Sequence, residues 1–375
     1  MHISSAFDGG NIEVVDLPES GDIRLRIRAD AGGEFLQWFY FRLSGARQRD
    51  CRLLIENAGE ASFPQGFRHY RAVASYDRQH WFRVETDFDD QVLGIAHRPI
   101  SDAVYYAYFA PYSMERHHDF IARCLTDERC RLEVPGQTLD GQDLDLLVIG
   151  EPDETKRRCW VIGRQHPGET MASWWMEGFL ERLLDPLDPV AADLLARAVF
   201  YVVPNMNPDG SRRGHLRTNA IGANLNREWQ APSMARSPEV ALIRERMYRS
   251  GVDFSLDVHG DEALPYNFIA GFEGIPSLTE SQLALLTEFR TRLAALNPDF
   301  QTIHGYPRIE PGKANLSTCT NFLAENFGCL SMTLEQPFKD AANRPLPELG
   351  WSPARCRLLA RACLDALHPL LGKLR

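Results

Sequence analysis

An imidazole and a carboxylate stand three residues apart in Arg164-Gln165-His166-Pro167-Gly168-Glu169-Thr170-Met171, directly after the apolar run Cys159-Trp160-Val161-Ile162-Gly163. Proline disfavours the helical conformation in the residue before it, so His166 is expected in the loop leaving a strand. Glu169 then falls near the first turn of the helix that follows. A catalytic zinc ion takes three protein ligands, commonly histidine nitrogen and carboxylate oxygen, and keeps a fourth position open. His166 and Glu169 can supply two of the three. By itself a His-x-x-Glu pair carries little information. A third ligand is offered by His259, which follows the strand-like run Phe254-Ser255-Leu256-Asp257-Val258. A base is offered by Glu335, which closes the apolar run Leu330-Ser331-Met332-Thr333-Leu334. An acid ending such a strand is costly unless it is exposed at the sheet edge or paired. Beside a metal it can take a proton from water and pass it to a leaving amine.

Between the two histidines lies a basic segment: Asn205-Met206-Asn207-Pro208-Asp209-Gly210, then Arg212, Arg213, His215, Arg217 and Asn224-Leu225-Asn226-Arg227. Four arginines stand against two acids, Asp209 and Glu228, in a chain that is acidic as a whole. Cations gathered near a metal suit a substrate carboxylate or a developing oxyanion. Arg212 and Arg213 read as a solvated loop. Arg217 and Arg227 read as the anion-binding pair.

These groups need a frame. At 375 residues two domains are expected. Hydrophobic content of 44% and charged content of 25% are those of a soluble globular protein, and no apolar run approaches the roughly 18 residues of a membrane span. The first ten residues lack a basic end followed by an apolar block, so no secretory signal is expected. Eight scattered cysteines without Cys-x-x-Cys read as buried thiols in a reducing compartment, and the cytoplasm is the expected location. The net charge of −10 argues against nucleic acid as a partner. No membrane partner is expected, and the sequence does not give the oligomeric state.

Residues 1–112 read as an antiparallel β-sandwich, with strands at 23–28, 35–43, 52–56 and 80–84 separated by Gly, Asp, Asn and Ser. Residues 113–375 alternate strands and helices. Strands are expected at 144–149, 159–163, 198–203, 254–258 and 329–334, and helices at 114–125, 169–184, 279–296 and from Ser237-Pro238 and Ser352-Pro353. The fold class is therefore α/β, a mixed and mostly buried sheet with helices on both faces. It places His166, His259 and Glu335 at the carboxyl ends of strands, where open α/β sheets carry their sites.

Taken together, His-Pro-Gly-Glu, Asn-Pro-Asp-Gly, Asn-Leu-Asn-Arg and the strand-end His259 and Glu335 resemble the zinc metallocarboxypeptidase family. The β-rich first domain, the run Tyr105-Tyr106-Ala107-Tyr108-Phe109-Ala110-Pro111-Tyr112 and the short gap between ligands resemble its cytosolic carboxypeptidase branch, known for trimming glutamates. The resemblance implies one zinc ion bound by His166, Glu169 and His259. It implies that Arg217 polarises the scissile carbonyl, that Asn226 and Arg227 hold the terminal carboxylate, and that Glu335 serves as base and then acid. The implied reaction is hydrolysis of the last amide bond of a peptide or protein by a zinc-activated water. Two departures stand out. The family's tyrosine about twenty residues before the glutamate is absent, Tyr306 being the nearest upstream. The basic residue of the glutamate-trimming members is replaced by Thr318-Cys319-Thr320-Asn321, leaving Lys313 or Arg308 as substitutes. A deacylase of small N-acyl amino acids and a silent binding module are the alternatives.

Overall fold

In the run Ile23-Arg24-Leu25-Arg26, Ile23 and Leu25 are buried and Arg24 is exposed, as a strand with one wet face requires. The computed structural model describes residues 1–18 and 21–374. Its first part holds β1 (His2–Ser4), β2 (Glu13–Asp16), β3 (Ile23–Arg26), β4 (Tyr40–Ser44) and β5 (Cys51–Ile55). These are followed by β6 (Val73–Ser75), β7 (Phe82–Arg83), β8 (Glu85–Phe88), β9 (Leu93–His97) and β10 (Ala103–Ala107). They form two five-stranded sheets, ordered β1-β4-β10-β6-β7 and β2-β3-β5-β9-β8. Pairing is antiparallel except between β3 and β5. Leu25, Leu53 and Ile95 from one sheet meet Phe41, Leu43 and Tyr106 from the other in a single core.

Two expected strands are shorter than their apolar runs. The run from Phe35 becomes β4 only at Tyr40, because its first half bonds side chains in place of a neighbouring strand. Gln37 exchanges bonds of 2.9 and 3.0 Å with the Phe63 backbone, and Leu36 N–H donates to Ser62 Oγ. At His80 the Asp77 carboxylate takes the N–H groups of Gln79 and His80 at 2.8 and 2.7 Å, holding a turn up to β7.

The remainder contains α1 (Met114–Cys124), β11 (Cys130–Glu133), β12 (Leu146–Ile149), β13 (Arg157–Gly163), α2 (Met171–Leu183), α3 (Pro189–Arg197), β14 (Ala198–Val203) and α4 (Pro208–Arg213). There follow α5 (Pro238–Ser250), β15 (Phe254–Val258), β16 (Phe268–Ala270), α6 (Glu280–Leu296), α7 (Cys319–Phe327), β17 (Leu330–Glu335) and α8 (Pro353–Leu367). One seven-stranded sheet runs β11-β12-β14-β13-β15-β17-β16. Its middle four strands are parallel and its outer pairs antiparallel. Period-two alternation sends Cys159 and Val161 of β13 into one core and Trp160 and Ile162 into another, on the opposite side of the sheet. The first core also holds Trp175 and Phe179 of α2, Phe289 of α6 and Leu359 of α8; the second holds Ile243 of α5 and Leu323 of α7. Helices therefore cover both faces, as expected for a sheet buried on both sides. The first core continues into the N-terminal sheets, where Tyr108 stacks on Phe338 at 4.5 Å. All eight cysteines are buried and unpaired. Among the described residues no helix is long and apolar enough to cross a membrane.

Candidate active site

The sheet register sets the site. Gly163, Val258 and Leu334 lie side by side across β13, β15 and β17. The residues that leave these strands therefore emerge at one edge, where the chain order switches from β14 on one side of β13 to β15 on the other. His259 N–H donates to Leu334 O at 2.8 Å, which puts Glu335 one strand away from the histidine.

His166, Glu169 and His259 are all buried, and one ligand atom from each lies within 4.8 Å of the others. Glu169 spans the pair, with Oε1 2.6 Å from His166 Nδ1 and Oε2 2.8 Å from His259 Nδ1; the two Nδ1 atoms are 3.2 Å apart. Ligand atoms held about 2.0–2.2 Å from one ion stand about 3.3–3.6 Å from each other in a tetrahedron, so a parting of these atoms by about 1 Å or less admits zinc. The outer nitrogens point away, as ligation by Nδ1 requires. His166 Nε2 lies 3.1 Å from Asn224 Oδ1, and His259 Nε2 lies 2.9 Å from Asp257 Oδ2. An acceptor behind each ring holds the proton on Nε2 and leaves the Nδ1 lone pair for a metal.

Burial and then the Arg217 cation pull the His166 imidazole down to about 4, so it is neutral at pH 7. Burial acts the same way on His259, but the Asp257 and Glu169 carboxylates outweigh it and raise that imidazole well above its usual range. The two rings differ because His166 has the Arg217 cation beside it as well as Glu169, whereas His259 faces two anions. Glu169 is held below the usual carboxylate range by His166 and His259, against burial. An ionised acid between two inward-facing nitrogens is a site for a divalent cation.

The Asn-Pro-Asp-Gly segment supports this loop. Asn207 caps α4 through Gly210 N–H at 3.0 Å and donates from Nδ2 to Gln165 O at 3.0 Å, beside His166. Gly210 is required: a Cβ there would lie 2.4 Å from Pro167 Cγ and 2.5 Å from Thr218 O. Arg164 has φ 57°, in the left-handed region, and its guanidinium holds that turn by donating to Pro167 O at 3.0 Å and Tyr112 O at 2.8 Å.

The cluster lies on a cleft of about 750 Å³ lined also by Arg217, Arg227, Tyr306, Arg308, Thr320 and Glu335. Arg217 and Arg227 have no carboxylate partner among the described residues; Arg227 bonds only the Asn226 carbonyl, at 2.6 Å. Asn226 Oδ1 accepts from Cys319 N–H at 2.8 Å, and its Nδ2 lies 3.5 Å from His259 Nε2. Glu335 is buried, Oε2 without any partner and Oε1 3.2 Å from the Tyr306 hydroxyl, which also lies 2.6 Å from Asp261 Oδ2. Burial pushes the Glu335 carboxyl well up, and Glu169 and Asp261 add to this against His259. A carboxyl so placed is suited to taking a proton and returning it.

All seven residues singled out in the sequence therefore meet at one cleft, while Arg212 and Arg213 are exposed, the latter paired with Asp140 at 2.7 Å. Tyr306 reaches Glu335 although it stands further upstream than the family spacing. Thr320 is bonded to Thr333 at 2.7 Å, so this part of the wall is polar and uncharged, and Arg308 is a cation lining the same cleft. Sequence reasoning did not single out Asp257, although two-residue alternation puts it on the same side as His259. Gln165 and Trp229 extend its network, through bonds of 2.6 Å to Asp257 and 2.9 Å from Trp229 Nε1. Asp257→Asn keeps the shape and removes the charge behind His259. Zinc affinity is expected to fall about 10- to 100-fold. Competition with a chelator measures it, and an unchanged affinity would show the charge to be idle.

The description of the cytosolic carboxypeptidase N-terminal domain matches residues 3–109, and that of zinc carboxypeptidases matches residues 121–253. The crystal structure of a metallo-carboxypeptidase from Burkholderia cenocepacia is 47% identical in sequence, with a TM-score of 0.97 over 99% of both chains. That of a metallo-carboxypeptidase from Pseudomonas aeruginosa, solved with (2-guanidinoethylmercapto)succinic acid, is 44% identical, with a TM-score of 0.97 over 100% of both chains. Human cytosolic carboxypeptidase 6 is 27% identical over 71% of this chain, which spans 58% of the length of that relative. Matched from end to end by metallo-carboxypeptidases, and in its two parts by these two domain descriptions, the chain belongs to the zinc metallocarboxypeptidases, hydrolases of peptide bonds, in their cytosolic carboxypeptidase branch.

Proposed function

We propose that the chain holds one zinc ion on His166, Glu169 and His259 and removes C-terminal residues, acidic ones by preference, from peptides or proteins. The observation that carries this reading is a buried His/Glu/His cluster on a cleft whose Arg217, Arg227 and Arg308 lack carboxylate partners among the described residues. When bound, zinc supplies a Lewis acid that acidifies water and polarises the scissile carbonyl. Arg227 and the Asn226 amide hold the terminal carboxylate, so only a chain end fits. Arg217 donates to the carbonyl oxygen as it gains charge. Glu335 Oε2 takes a proton from the attacking water while the new C–O bond forms. It returns that proton to the amine nitrogen as the C–N bond breaks. Tyr306, between Asp261 and Glu335, orients the base.

A second reading concerns the side chain removed. The ligand of the Pseudomonas aeruginosa relative carries a guanidino arm. In this chain Glu262 lines the cleft, and its Oε1 is buried without a partner, which would suit a cation. Cleavage of peptides ending in Glu, Lys or Leu separates the two. Arg308 is exposed, so its contribution is that of a solvated ion pair, about 1 kcal/mol. Arg308→Ala is expected to cut the Glu-over-Leu ratio of kcat/KM roughly fivefold. A ratio that does not move, with Lys-ended peptides cleaved best, favours Glu262. We assign residues 1–112 and 113–375 to two domains, and the cytoplasm as location on the likeness to proteins named cytosolic carboxypeptidases.

A further inference from the structure

Arg217 lies in residues 214–224, between α4 and the next helical turn, a stretch without helix or strand, so its backbone groups need partners from elsewhere. The loop between β3 and β4 provides them. Buried Asp30 accepts from the N–H of Leu216 at 2.6 Å, of Arg217 at 2.9 Å and of Thr218 at 2.9 Å, and from the Thr218 hydroxyl at 2.9 Å. Three successive N–H groups thus close on one carboxylate, a concave anion cradle built the reverse way round, with the protein supplying the anion. Next to it, Ala31 N–H donates to His215 Nε2 at 3.0 Å, so Nδ1 carries the proton and donates to Thr218 O at 3.1 Å. Gly32 and Gly222 both have positive φ, and a Cβ on Gly222 would lie 2.1 Å from Gly32 O, so the two loops meet backbone to backbone.

The consequence reaches the cleft. Held this way, the Arg217 guanidinium lies 5.7 Å from the Phe35 ring centroid and 5.3 Å from that of Phe63, both on the N-terminal part. The same segment touches the metal loop, where Gly168 N–H, between His166 and Glu169, donates to Leu216 O at 2.8 Å. A carboxylate serving only to join the two parts need not grip the peptide of an arginine that lines the cleft beside the cluster.

We propose that Asp30 is a positioning residue for hydrolysis: by clamping residues 216–218 it holds the Arg217 guanidinium, against Phe35 and Phe63, where the oxyanion forms. This rests on the reading of Arg217 given above. In Asp30→Asn an amide group replaces one acceptor oxygen and turns its hydrogens toward N–H donors. Expected are a fall in kcat of about 10- to 100-fold with KM nearly unchanged, and faster hydrogen exchange at the amides of residues 216–218. The deciding measurement is a double-mutant cycle with Arg217→Ala, in which Asp30→Asn adds no further loss because nothing remains to be positioned. Independent, multiplying losses overturn the proposal, as does an unchanged kcat. Full activity in Arg217→Ala alone overturns the reading of Arg217 and the proposal with it. If Asp30→Asn does not fold, Thr218→Val removes a single contact. Its smaller loss, about threefold, must likewise vanish in the Arg217→Ala background, and persistence there overturns the proposal.

Discussion

Glu335→Gln is expected to lower kcat about a thousandfold, within the range for removal of a proton-transfer group, with zinc content and KM nearly unchanged. The amide is nearly the same size, and it leaves the strand pairing through His259 N–H and Leu334 O intact. It removes the Glu335 carboxylate, whose Oε2 is buried without a partner. An amide oxygen cannot take a proton from water at neutral pH or return one to the departing nitrogen. Arg217, Asn226 and Arg227 remain to bind the substrate. The loss should therefore appear equally in kcat and kcat/KM, the sign of an interaction made only in the transition state. Steady-state kinetics on a peptide with a free C-terminus, with zinc assayed in the same preparation, decides it. Activity within tenfold of the wild type would assign the proton to another group, and Tyr306 would be the first to test.

The second large effect concerns the metal. Chelation is expected to abolish hydrolysis and lower the unfolding temperature, and zinc to restore both. Without metal, the buried Glu169 carboxylate shares its pocket with two imidazoles, one of which, His259, is held protonated by Asp257 and Glu169. A divalent cation replaces that proton and answers both Glu169 oxygens at once. Free zinc at a thousand times its Kd stabilises the fold by about 4 kcal/mol, a shift visible in a thermal melt. His166→Ala should behave like the chelated protein and gain little from added zinc. Hydrolysis surviving chelation, or melting indifferent to zinc, would sink the assignment of these three ligands.

Much of this site was legible in the chain. Pro167 ties His166 to a loop, and an apolar five- or six-residue run before His259 and Glu335 marks a buried parallel strand, so three functional residues could be set at strand ends. What escaped was of two kinds. Several short elements were missed although their caps are written in the sequence. α3 begins with Asp188 accepting from Val190 and Ala191 N–H, and α4 runs from the Asn207 cap to Gly214 in the left-handed region. Helices of six to nine residues carry too few apolar positions for periodicity to register. The second kind is polar support. Asp257 and Asn224 were in view but without a role, since nothing in their spacing says which ring nitrogen they would face.

By itself the sequence singled out the candidate ligands, the candidate base, the candidate anion-binding arginines and the sheet edge that gathers them. It could do so because strand periodicity and proline restriction are local, acting over two to four residues. Only the tertiary structure decided which atoms meet: Nδ1 of both histidines facing inward, Tyr306 beside Glu335, and Asp30 with Phe35 and Phe63 behind Arg217. Asp30 and Arg217 are 187 residues apart. Contacts of that span depend on how the N-terminal sheets pack against the rest of the chain, and no local pattern records them.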